Sequence, residues 1–72
     1  MQVHVKLFLD LRQHQDSRIE LKEGADAEDL IRCLSIPIEE VGVLSINNRS
    51  ATIDNKLKDG DVITIVPPIG GG

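Results

Sequence analysis

The residues with the most distinctive chemistry stand at the C-terminal end: Pro67, Pro68, Ile69, Gly70, Gly71 and Gly72. Two consecutive prolines favour an extended polyproline path that leads the chain away from a folded body. The three glycines that follow carry no side chains and resist ordering. Fully extended, six residues reach roughly 20 Å. Such a terminus is slim enough to thread a narrow channel, with Gly70 and Gly71 as access, and it offers the Gly72 carboxylate without steric obstruction. If the native chain continues past Gly72, processing must first expose that carboxylate. The competing reading is an ordinary frayed end; placement directly after an apolar strand favours the functional one.

Other reactive types are sparse. A nucleophile–base pair needs Ser, Cys or Thr near a histidine held by a third group. Cys33 reads as a small buried or half-buried filler on a helix. His4 falls on the solvent side of a strand and His14 in a loop. Glu39, Glu40 and Asp54 read as solvated groups, and Asp59 and Asp61 as turn chemistry. No phosphate-cradling loop is present, because the glycines precede no helix and no lysine follows them. The single cysteine excludes an internal disulfide and a cysteine-based metal cluster. No bound metal or cofactor and no autonomous enzyme activity are expected.

Several elements must position the tail. Val3, Val5, Leu7, Leu9 and Leu11 alternate with His4, Lys6, Phe8 and Asp10, the period of a half-buried strand. Residues 12–17 read as a turn, and Arg18 to Lys22 as the returning strand. Asp26 is a helix N-cap, with Glu28 and Asp29 in the first turn. Ala27, Leu30, Ile31 and Leu34 share one face of a helix of about nine residues, and Pro37 ends it. Val43 to Ile46 is a strand, Asn47-Asn48-Arg49 a turn, and Ser50 to Ile53 a short returning strand. Leu57 plugs the core. Asp59-Gly60 turns into the last strand, Val62 to Val66, which Pro67-Pro68 stops. The order ββαβ(β)β predicts an α+β domain over residues 1–66, with a flexible tail over 67–72. A mixed sheet with one helix packed on one face is the β-grasp arrangement, its first and last strands central neighbours.

Bulk composition agrees. Seventy-two residues supply one small core. The formal charge, 8 − 12 = −4, disfavours nucleic-acid binding, and Phe8 is the only aromatic residue. No apolar run is long enough to span a membrane. The first residues alternate at once, unlike a signal peptide, so a cytoplasmic location is expected.

Leu57-Lys58-Asp59-Gly60-Asp61-Val62, followed by Pro67-Pro68-Ile69-Gly70-Gly71-Gly72, resembles the ubiquitin-like sulfur carriers. The likeness is strongest to the small subunit of molybdopterin synthase, with the thiamine-pathway carrier next. Val5-Lys6-Leu7-Phe8, Leu11-Arg12 and Asn47-Asn48 fit the same family. Two positions depart from it: Gly70 stands where alanine is common, and Ile65-Val66 where many small subunits have Phe. The resemblance implies that an adenylyltransferase of the ubiquitin-activating type uses ATP to adenylate Gly72. A persulfide sulfur then yields a thiocarboxylate. The molybdopterin synthase large subunit, or thiazole synthase, would receive the tail. A ubiquitin-like modifier joined to target lysines through Gly72 and a plain interaction module with an inert tail are the alternatives.

The last strand is apolar on both faces, whereas one helix covers a single face. Phe8 also points away from the core set. Phe8, with Ile63, Ile65, Pro67 and Pro68, is therefore expected to dock a partner. The other reading of Phe8 is that it packs beneath a loop.

Overall fold

A computed structural model of the chain describes residues 1–10 and 12–68. The strands are β1 (Gln2–Phe8), β2 (His14–Glu20), β3 (Val43–Ile46), β4 (Arg49–Ser50) and β5 (Val62–Val66). One helix, α1 (Ala27–Cys33), and a 3-10 turn at Ile38–Glu40 lie between β2 and β3. The sheet order is β2-β1-β5-β3-β4. β1 and β5 run parallel at its centre, and the remaining pairs are antiparallel. This is the expected mixed α+β sheet with one helix.

Burial follows the alternation in β1 and β5. Val3, Val5, Ile63 and Ile65 meet Ala27, Leu30 and Ile31 of α1, with Leu44 and Leu57 closing the core. Leu57 is the expected plug, held by its N–H donated to Ala25 O at 2.9 Å. Ten buried apolar residues and no buried polar one make up this interior among the described residues. Removing that apolar surface from water is the main stabilising force.

α1 begins in a reciprocal cap. The Asp29 N–H donates to Asp26 Oδ1 at 2.9 Å, and the Asp26 N–H to Asp29 Oδ2 at 3.1 Å. That Asp29 N–H bond holds the Asp26 carboxyl below its usual range. A carboxyl lowered in the folded state stabilises above its unfolded pKa, and the gain is lost as pH falls through the folded value. Asp26→Ala is therefore expected to unfold at lower urea concentration at neutral pH. The difference should shrink steadily below about pH 4, a comparison that urea titrations at several pH values make directly.

Four boundaries differ from the pattern-based expectation. β1 stops at Phe8, because Asp10 Oδ1 accepts from the Arg12 and Gln13 N–H groups and closes a tight loop. Leu9 is consequently exposed, while Leu11 lies outside the described residues. β2 begins at His14 rather than Arg18; its first five residues are exposed on both faces and need no apolar alternation. α1 has seven residues. It stops before Pro37 because Ser35, at φ 59°, reverses the chain. The Ile36 N–H then reaches Ile31 O, and the Ser35 N–H reaches Arg32 O. β4 ends at Ser50, since Thr52 and Asn55 form a side-chain-closed turn.

The turn residues behave as their types require. Asn47 and Asn48 take φ values of 52° and 67°, a two-residue hairpin geometry that asparagine tolerates. Gly60 takes φ 86°. Asp61 accepts from the Lys58 N–H, the turn role expected of it, whereas Asp59 accepts from the Gln2 N–H and ties the turn to β1.

Candidate functional site

β5 carries the chain to its exit. Val66 is held by the Gly42 N–H, which donates to its carbonyl at 2.8 Å. Pro67 is half-buried and Pro68 exposed. Gly42 faces both at close range: a Cβ added there would lie 2.6 Å from Pro68 Cα and 2.7 Å from Pro67 O. The absence of a side chain at Gly42 is what lets the two prolines lie across it. Ile69, Gly70, Gly71 and Gly72, the expected reactive end and its access, lie outside the described residues.

Among the described residues, the helix covers one face of the sheet and nothing covers the other. Ile63 and Ile65 sit on the covered face, 0% and 1% exposed. They were expected to dock a partner; their burial beneath α1 corrects that expectation. The open face of β5 is instead Val62, Thr64 and Val66, all half-buried. β1 contributes His4, Lys6 and Phe8 to the same face. Val43 of β3 pairs with Val66 and is 52% exposed.

These residues fall in rows. The parallel register sets Lys6 beside Thr64 and Leu7 beside Ile65, so Phe8 stands level with Val66. His14, Phe8, Val66 and Val43 thus cross one end of the open face, and Val66 leads directly into Pro67. The Phe8 ring lies 4.9 Å from the His14 ring at 30°, beside a histidine rather than beneath a loop. An apolar row and the tail exit share one end of the sheet.

Next to this row the face is charged. His4 Nε2 is 3.0 Å from Asp16 Oδ1, and His14 Nε2 is 3.4 Å from Asp16 Oδ2. The His4 bond leads the causes that lower the Asp16 carboxyl. His14 opens β2 rather than lying in a loop. No three His, Cys, Asp or Glu among the described residues are placed to hold a metal ion. Cys33 is exposed, not the half-buried filler expected, and the cause is its place one step off the helical face of Leu30, Ile31 and Leu34. A hollow of about 620 Å³ lined by Asn47, Arg49, Lys56 and Asp61 lies where β5 begins, at the opposite end from the tail. No helix among the described residues is long and apolar enough to cross a membrane.

The structure sets Phe8 at the same end of the sheet as the Pro67–Pro68 exit, and it adds Gly42 and Val43, which the sequence pattern does not single out. A glycine before a strand carries no signal of close approach. Val43 matters only through its pairing with Val66, which composition does not reveal.

Comparison with known proteins agrees with the fold. The ThiS family model matches residues 5–72. A protein from Pyrococcus furiosus described as molybdopterin converting factor subunit 1 is 33% identical. It covers 94% of this chain and 98% of its own, with a TM-score of 0.70. The complex of subunits 1 and 2 of molybdopterin-converting factor from Helicobacter pylori 26695 contains a chain 27% identical. Coverage there is 100% of both chains, with a TM-score of 0.70. SAMP1 from Haloferax volcanii, 20% identical with 100% of both chains covered, has the same fold at a TM-score of 0.78. The chain belongs to the ThiS family and has the β-grasp fold of the ubiquitin-like sulfur carriers.

Proposed function

We propose that this chain carries sulfur on the Gly72 carboxylate, acting as a small subunit for partner enzymes. The observation that carries the reading is the coincidence of an apolar row and the tail exit at one end of a ThiS-family body. A partner that docks on Phe8, Val66 and Val43 receives the chain beyond Pro68 in a defined direction.

The chemistry follows from the weakness of a carboxylate as an electrophile. An activating partner binds ATP; the Gly72 carboxylate attacks the α-phosphorus and pyrophosphate leaves. A persulfide sulfur then attacks the acyl carbon of the adenylate and AMP leaves. A thiol cleaves the resulting S–S bond and leaves the thiocarboxylate. This chain contributes no acid or base to those steps: it presents one carbonyl and excludes side chains around it. ATP belongs to the activating partner.

The recipient we assign is a molybdopterin synthase large subunit. Its support is the likeness to a molybdopterin converting factor subunit 1 and to a chain in a complex of subunits 1 and 2. Delivery to a thiazole synthase would use the same carboxylate.

ATP–pyrophosphate exchange by a purified ubiquitin-activating-type adenylyltransferase tests the first step. Exchange should depend on added chain and saturate with it; absence of stimulation with an enzyme competent on its own carrier contradicts the reading. Gly42→Ala gives a graded version of the same test. The new methyl cannot coexist with the Pro67–Pro68 backbone at 2.6 to 2.7 Å, so the exit must shift. Misplacing a reacting group by about 1 Å costs up to 100-fold. A displacement smaller than that at Gly72 costs less, and about tenfold lower kcat/KM in exchange is expected.

A further inference from the structure

The sheet order leaves β2 at one edge. Its register with β1 tells which backbone groups are free. The His4 N–H points across to Asp61 O, on the β5 side, whereas the Leu21 N–H reaches Met1 O. Met1, Val3, Val5 and Leu7 therefore exchange backbone bonds with Leu21, Ile19, Ser17 and Gln15. The N–H and C=O groups of His14, Asp16, Arg18 and Glu20 point outward, along a seven-residue strand without proline. Such an edge is a template for another strand.

We propose that this edge pairs antiparallel with β2 of a second copy, about a two-fold axis at Ser17. Charge complementarity within His14-Gln15-Asp16-Ser17-Arg18-Ile19-Glu20 favours this occupant. With the axis at Ser17, Asp16 stands opposite Arg18 of the second copy, and His14 opposite its Glu20. Every outward residue then meets a group of opposite or complementary type, on the same face. The neighbouring symmetric registers that keep outward groups facing each other fail. An axis at Asp16 sets the two Asp16 carboxylates together. An axis at Arg18 sets the two Arg18 side chains together and Asp16 against Glu20. Like charges directly opposite destabilise a strand pair. Edge charges that would otherwise deter association thus select one register.

Exposed charge pairs contribute little affinity, and a strand pair buries less than the roughly 1,000 Å² of a stable interface. The dimer is therefore weak, with a Kd on the order of 100 μM. The axis stands perpendicular to the joined sheet, so both helices share one side. The two Pro67 exits lie at opposite ends of the joined sheet, and pairing obstructs neither.

Sedimentation equilibrium across that concentration range tests the proposal, with Asp16→Arg, Arg18→Asp and the double variant as separate proteins. Thermal unfolding confirms that each is folded. Wild type should dimerise. D16R and R18D should each remain monomeric, yet associate when mixed, because each supplies the charge the other lacks. The double variant, with both charges exchanged, should dimerise as wild type does. Hydrogen exchange should slow with concentration at the amides of His14, Asp16, Arg18 and Glu20, the groups that point outward. A monomer at all concentrations, single variants that dimerise like wild type, or edge amides protected only by a different added protein would each overturn it.

Discussion

Val43→Asp and Phe8→Ser are each expected to weaken binding to the large subunit and to the activating enzyme by roughly 30-fold, about 2 kcal/mol. Val43 is 52% exposed and paired with Val66, and Phe8 stands level with Val66 on the same open face. A carboxylate at Val43 would have to be desolvated against an apolar partner surface, a cost the unbound chain never meets. Its effect on the fold is small, because an exposed position loses little packing; surface substitutions usually stay within about 0.5 kcal/mol. Calorimetric binding together with thermal unfolding separates the two effects. Unchanged affinity in a folded V43D protein would mean that the partner docks elsewhere. A matching change at Ile63 would be uninformative, since Ile63 lies wholly beneath α1 and its loss opens a cavity.

Deleting Gly72 is expected to abolish sulfur acceptance while leaving partner affinity within a few-fold of the full chain. The two properties should separate if, as proposed, recognition uses the open sheet face and chemistry uses the Gly72 carboxylate alone. A chain ending at Gly71 still has a terminal carboxylate, but it falls short of the reacting atoms by roughly 3.3 Å. Misplacement of about 1 Å already costs up to 100-fold. Single-turnover sulfur transfer, read beside calorimetric affinity, should therefore show a lost rate constant with a retained Kd. A truncated chain that reacts at the full rate would place the reactive group somewhere other than Gly72.

The parts of this molecule visible in the chain's pattern are those where one physical demand acts alone. Alternation through Val3, Val5 and Leu7 marks β1, because its two faces meet different surroundings. Asp26 and the spacing of Ala27, Leu30 and Ile31 mark α1. Asn47-Asn48 and Asp59-Gly60 mark turns, since few residues accept positive φ. β2 was misplaced at its start because an exposed edge strand makes no demand on side-chain type. β5 is legible as a strand apolar on both faces, but with Val62, Ile63, Ile65 and Val66 all apolar, only the position of α1 decides which pair is core. Gly42 shows the same limit, since its role depends on two prolines 25 and 26 positions later in the chain. The tail composition was legible, and what the fold adds is the end of the sheet from which it departs.

Sulfur acceptance at Gly72 can be read straight from intact-mass spectrometry. The chain ending at Gly72 is incubated with ATP, a persulfide sulfur donor and a cognate activating enzyme. A mass gain equal to replacing one oxygen by sulfur is expected, mapped to the last residue and dependent on ATP. Conjugation of Gly72 to lysines of other proteins, or an unchanged mass with an enzyme that loads its own carrier, would contradict it.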